Sequence, residues 1–117
     1  MVITTLAVDV SLRRSGFALL HDEKVIQTWA CPIANAHNRP LELEALWAFS
    51  AAIIGAPPLP DFVAIETSAK WQGGKGDGGG SVGALAEARS AVICAAFHAG
   101  ISSKQIREID PNDVRWL

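Results

Sequence analysis

The sequence has no excess of basic charge. Its ten Lys and Arg stand against twelve Asp and Glu, for a net charge of −2. That excludes a protein coated in positive charge for nucleic acid, but not a local basic patch. No apolar run approaches the ~20 residues needed to cross a bilayer. The N-terminal "MVITTLAVDV" is interrupted by Asp9 and has no basic leader, so it reads as a strand rather than a signal peptide. Only two cysteines are present, Cys31 and Cys94, without a CxxC or Cys/His cluster. They read as buried free thiols rather than a disulfide or zinc site. His21, His37 and His98 do not cluster in sequence and read as surface or helix-end residues. There is no internal repeat. The glycine run in the middle of the chain lacks the GxxxxGK[ST] spacing of a phosphate loop. A soluble cytoplasmic protein is expected.

Half of the 117 residues are apolar and 19% are charged, which suits a packed core in a single domain, residues 1–117. Residues 2–10 are rich in Val, Ile, Thr and Leu and read as a buried strand. "SLRRSG" reads as a turn in which Gly16 can take a positive φ. "FALLHD" and "KVIQTWACPI" read as two further strands joined at Asp22-Glu23. Connections this short favour an antiparallel meander.

Residues 38–55 carry Leu43, Leu46, Trp47, Ser50, Ile53 and Ile54 at helical spacing, with Asn38 and Pro40 as start signals. "GAPPLP" stops that helix, and "DFVAIE" is a fourth, covered strand. Residues 71–83 hold seven glycines in thirteen positions, a composition that predicts a loop with no regular element. Ser81 is positioned to cap the next helix, whose stripe is Val82, Leu85, Ala86, Val92, Ile93, Ala96 and Phe97. Gly100 ends it. "KQIREID" is a fifth strand, and Asp110-Pro111 starts another helix. Trp29 and Trp47 lie on apolar faces and are expected in the core. The order predicts an α/β fold: a mixed five-stranded sheet, its first three strands antiparallel, with helices on both faces.

Asp9 closes the first strand and Glu66 closes the fourth. If those strands are parallel neighbours, the two carboxylates lie side by side. They would repel unless a cation lay between them. Hard divalent ions such as Mg²⁺ take oxygen ligands and keep several waters. Paired ions about 4 Å apart can activate a water and stabilise the leaving oxygen of a phosphodiester.

These residues carry a resemblance. "AVDVSLRRSGFALL" resembles the first hairpin of the RuvC family of Holliday junction resolvases, members of the ribonuclease H-like superfamily. "FVAIE" resembles that family's fourth strand with its metal-binding glutamate, and "GALAEARSAVICAAFHAG" the helix after its active-site loop. "IREIDPNDVRWL" resembles the strand and helix start that follow. The resemblance implies a metal-dependent, structure-selective endonuclease using Mg²⁺ or Mn²⁺, with Asp9 and Glu66 as catalytic metal ligands. It implies four-way DNA as substrate, a homodimer formed through the helix 81–99, and residues 67–80 as the loop that enters the junction. The family completes its site with two further acidic or histidine ligands on a last helix, and nothing in this sequence aligns with them. Either the chain is C-terminally truncated, its last helix missing or incomplete, or the remaining ligands come from elsewhere. Asp110 and Asp113 share an i, i+3 spacing but read as helix-cap residues.

DNA contacts need cations near phosphates and flat groups on which bases stack. Arg13 and Arg14 follow Asp9, while Lys70, Trp71 and Lys75 follow Glu66. These five are the candidate DNA-binding residues, at one end of the sheet. Two other readings stand beside the nuclease. One is a non-catalytic, dimeric module of the same fold that binds branched DNA. The other is a sugar-kinase or actin-like half-domain, which would need a second domain of similar size.

Overall fold

The computed structural model describes residues 1–11, 14–32, 38–66 and 78–109, with residues 78–82 described by their backbone alone. Five strands and two long helices follow in the order β1 (Thr4–Asp9), β2 (Gly16–His21), β3 (Lys24–Ala30), α1 (Arg39–Gly55), β4 (Phe62–Glu66), α2 (Gly78–Ala99) and β5 (Ile106–Ile109). The strands form one mixed sheet in the spatial order β3-β2-β1-β4-β5. The first three strands are antiparallel, and β1, β4 and β5 are mutually parallel.

Alternation along each strand divides the sheet into two unlike faces. Leu6, Val8, Phe17, Val63 and Ile65 point to one face and are buried there with Leu46 and Ile54 of α1 and Ala88, Val92 and Ala96 of α2. Both described helices therefore cover the same face. They run side by side in the same direction. Arg39 of α1 pairs with Glu87 of α2 near one end, and a Cβ on Gly55 would meet the Ala99 Cβ at 3.6 Å near the other. Among the described residues, the second face carries no helix. A helix after Asp110, which would be the candidate cover for that face, lies outside the described residues.

Local chemistry sets the element ends. The Asn38 side chain accepts a hydrogen bond from the Leu41 N–H at 2.9 Å, and a proline occupies the first turn of α1. Gly100 (φ 106) closes α2. Its N–H donates to Phe97 O at 3.0 Å and the Ile101 N–H donates to Ala96 O at 2.9 Å, the paired bonds of a Schellman end. Asp22 turns the β2–β3 hairpin at φ 58, and its carboxylate accepts from the Ile3 N–H at 3.0 Å. At the start of β4, the Asp61 N–H donates to Thr4 O, and the Thr4 N–H donates back to the Asp61 carboxylate, each at 2.8 Å. These two bonds lock the register between β1 and β4 at the end remote from Glu66.

Several expectations need correction. α2 begins at Gly78, so Ser81 lies inside the helix rather than capping it, and glycines 78–80 and 83 are helical. Each helical glycine costs about 1 kcal/mol relative to alanine, but extending a helix already held by packing is cooperative. Ala86 and Phe97 are exposed, and the buried positions on α2 are Ala88, Val92, Ala95 and Ala96. Alanines and other apolar residues lie on every side of this helix, so periodicity could not choose its inner face. Gly16 is not a positive-φ turn residue; it is the first residue of β2. The fifth strand is shorter than "KQIREID", because Ser103–Gln105 forms a 3-10 turn in which the Gln105 side chain accepts from the Ser102 N–H. Cys31 is buried as expected, but Cys94 is exposed on α2. Trp29 packs half-buried against the core, and Trp47 is also half-buried, with its ring centroid 5.0 Å from that of His98. No helix among the described residues is long and apolar enough to cross a membrane.

Candidate metal centre

Asp9 is the last residue of β1 and Glu66 the last of β4. The parallel register pairs Val8 with Ile65, so the next step along both strands sets Asp9 beside Glu66. Even-numbered β1 residues face the helices. Asp9 therefore projects from the second face, together with Ala7, and Glu66 projects with Ala64. The side chains meet. Burial raises the Glu66 carboxyl above the ordinary carboxylate range, and a hydrogen bond to Asp9 and the repulsion of its charge raise it further.

A hollow of ≈ 460 Å³ opens on this face beside the pair. Ala7, Ala18 and Ala64 form its floor, and Asp9 and Glu66 stand at its rim. On the other side of Asp9, across the β1–β2 ladder, stands Gly16. A Cβ placed there would meet nothing within 4 Å. The donor set suits a hard divalent cation: two oxygen ligands side by side, one of them disfavouring its charge until a cation arrives, with open space for water. Asp9 and Glu66 would hold the ion. Among the described residues, no group of three or more His, Cys, Asp or Glu side chains forms, so the pair has no third protein ligand there.

Of the candidate DNA contacts, Arg14 is exposed in the turn between β1 and β2, at the Asp9 end of the sheet. Arg13, Lys70, Trp71 and Lys75 lie outside the described residues. Two residues next to Asp9 carry no site signal in the sequence. One is Gly16, which reads there as a turn residue and whose place opposite Asp9 depends on register. The other is Ser15, whose hydroxyl bonds the backbone of Ser11. For Ser15 the sequence offers only the two serines bracketing "LRR".

No protein-family model matches the chain, and no curated protein matches it in sequence. Solved structures do match. RuvC from Thermus thermophilus in complex with Holliday junction substrate superposes with a TM-score of 0.79 at 15% identity, over 97% of this chain and 68% of that one. A second Thermus thermophilus RuvC structure gives a TM-score of 0.72 at 14% identity, over 93% of this chain and 64% of that one. The chain has the RuvC fold. The expected ribonuclease H-like sheet, with its first three strands antiparallel and β4 beside β1, is the one observed. In a RuvC fold, the contact between Asp9 and Glu66 falls at the ends of the two central parallel strands. The chain spans about two thirds of the length of each neighbour.

Proposed function

We propose that the chain belongs to a metal-dependent, structure-selective DNA endonuclease that cuts phosphodiesters at four-way junctions with an activated water. One observation carries this reading: two carboxyls touch at the ends of adjacent parallel strands, on the fold of a RuvC solved with Holliday junction substrate. Asp9 and Glu66 would hold Mg²⁺ or Mn²⁺. Such an ion would supply a polarised water and positive charge for phosphodiester hydrolysis. Asp9 and Glu66 orient that centre on the open face of the sheet, and Gly16 leaves room beside it. Arg13 and Arg14, with Lys70, Trp71 and Lys75, bind the backbone and the unstacked bases of the junction.

The protein acts in the cytoplasm as a homodimer formed through the helix 81–99. Apolar surface on α2 supports this, since Phe97 is 48% exposed. Sedimentation of the wild type beside Phe97→Asp tests it: a dimer that becomes a monomer in the variant is expected.

The function is tested with a labelled four-way junction, Mg²⁺ or Mn²⁺, and a Glu66→Gln variant. Cleavage by the wild type that is lost in the variant supports the nuclease. Junction binding without cleavage in both supports a second reading, a non-catalytic dimeric module for branched DNA. The absence of a third His, Cys, Asp or Glu beside the pair among the described residues favours that second reading for residues 1–117 alone. Absence of junction affinity overturns both.

A further inference from the structure

The turn after Asp9 carries a clamp that the sheet does not require. The β1–β2 ladder ends at the pairing of Asp9 with Gly16. Beyond it Val10 is buried and Ser11 half-buried, so the backbone groups there need partners within the protein. Ser15 provides them for Ser11. Its hydroxyl accepts from the Ser11 N–H at 2.9 Å and donates to the Ser11 carbonyl at 2.7 Å. Ser15 is fully buried. Its own carbonyl accepts from the Cys31 N–H at 2.9 Å, just past the end of β3. The Ser15 side chain thus continues the ladder by a step, while its backbone carbonyl holds the same residue to the chain just past β3. The Ser11 hydroxyl also accepts from the Arg14 N–H at 3.2 Å, so the same clamp shapes the segment that presents Arg14.

We propose that Ser15 is a positioning residue for the carboxylate pair, its hydroxyl fixing the chain after Asp9 so that the Asp9 carboxylate stays against Glu66. The proposal rests on reading that pair as a divalent-cation site. Ligand carboxylates hold a metal only within about 0.5 Å of a productive arrangement. A frayed β1 end would widen that range for Asp9 while leaving Glu66, in the middle of the sheet, in place.

The test titrates Mn²⁺ alone into the full chain, followed by electron paramagnetic resonance, at a temperature where circular dichroism shows every variant folded. Ser15→Ala removes the clamp and Ser15→Thr keeps a hydroxyl. Ile54→Val loosens the core on α1 without touching the turn. Ser15→Ala is expected to weaken Mn²⁺ by about tenfold, the lower end of what losing support behind a metal ligand costs, because its hydroxyl holds the backbone two residues past Asp9 rather than the carboxylate itself. Ser15→Thr should stay close to wild type, and Ile54→Val should bind like wild type.

A metal-free readout accompanies this: the ¹³C resonance of the Glu66 carboxyl at fixed pH should move in Ser15→Ala and stay in Ile54→Val. Wild-type Mn²⁺ affinity and an unmoved Glu66 resonance in Ser15→Ala would overturn the proposal. If the wild type binds no Mn²⁺, the cation-site reading falls, and the Glu66 resonance still decides whether Ser15 holds Asp9 in place. If Ser15→Ala does not fold, Ser15→Cys, similar in shape but a weak donor, takes its place with the same expected outcomes.

Discussion

Asp9 and Gly16 face each other across β1 and β2, and the missing side chain of Gly16 leaves open space beside the carboxylate. The glycine is not there for its backbone, because its φ lies outside the positive region. Alanine at this position should therefore fit the strand and stabilise the protein by about 0.4–1 kcal/mol through the unfolded chain. Gly16→Leu is different, since its side chain would fill the space beside Asp9. Junction cleavage should fall about tenfold or more in Gly16→Leu, because small displacements at a reacting centre are costly. Its urea midpoint should stay close to wild type. Cleavage rates and midpoints measured on both variants check this, and unimpaired cleavage by Gly16→Leu would mean that the space is unused.

Glu66 gives the pH dependence its sign. Its folded pKa is raised above the ordinary value of 4.5, with burial the largest cause and Asp9 the next. A carboxyl raised on folding contributes stability that is complete at acid pH and is lost as pH rises through the folded value. Metal-free wild type should therefore lose stability over that interval relative to Glu66→Gln, which cannot ionise. Mn²⁺ should reverse the order, since binding requires the ionised pair, and its affinity should rise over the same interval. Urea midpoints of both proteins from acid to neutral pH, with and without Mn²⁺, measure all three effects. A Glu66→Gln protein that gains as much from Mn²⁺ as wild type would contradict them.

Arg14 is an exposed cation in the turn that follows Asp9. Its replacement by alanine should leave stability within about 0.5 kcal/mol of wild type, as for most surface substitutions. Junction affinity should fall and the slope of log affinity against log salt should become shallower by about one, the signature of one lost phosphate contact. Binding isotherms at several salt concentrations check this. An unchanged slope would remove Arg14 from the interface.

The carboxylate pair was legible in the sequence because two strong local signals coincided: an apolar run ending in Asp9 and another ending in Glu66. Their contact needed only the inference that the two strands are parallel neighbours. Less was legible on α2. Its alanine-rich surface carries no polar stripe to mark the outside, so the sequence put Ala86 and Phe97 in the core and the structure exposes them. Glu42 was hidden for the opposite reason. It is charged, yet it shares the buried stripe of α1 with Leu46, Ser50 and Ile54, a choice made by helix geometry rather than residue type. The role of Gly16 depends on its cross-strand partner, and that of Ser15 on a hydrogen bond closed around a turn. Neither is a property of the residue itself.

The two ends of the helical layer offer a stability comparison that should leave the site untouched. Gly100 holds φ 106 at the end of α2, remote from Glu66. A Cβ there would meet Leu59 Cδ1 at 3.6 Å, an ordinary contact, so crowding is not the obstacle. The obstacle is the left-handed backbone, which costs a residue with a Cβ roughly 1–2 kcal/mol. Asn38, at the start of α1, caps the Leu41 N–H. Asn38→Ala should cost about 1 kcal/mol. Gly100→Ala should therefore destabilise at least as much as Asn38→Ala, and the two costs should add, because the residues share no partner. Denaturant midpoints of both single variants and the double variant measure this, with Mn²⁺ affinity expected to match wild type throughout. A neutral Gly100→Ala would show that this helix end relaxes out of the left-handed region, and the paired bonds to Ala96 and Phe97 would then not be what ends α2.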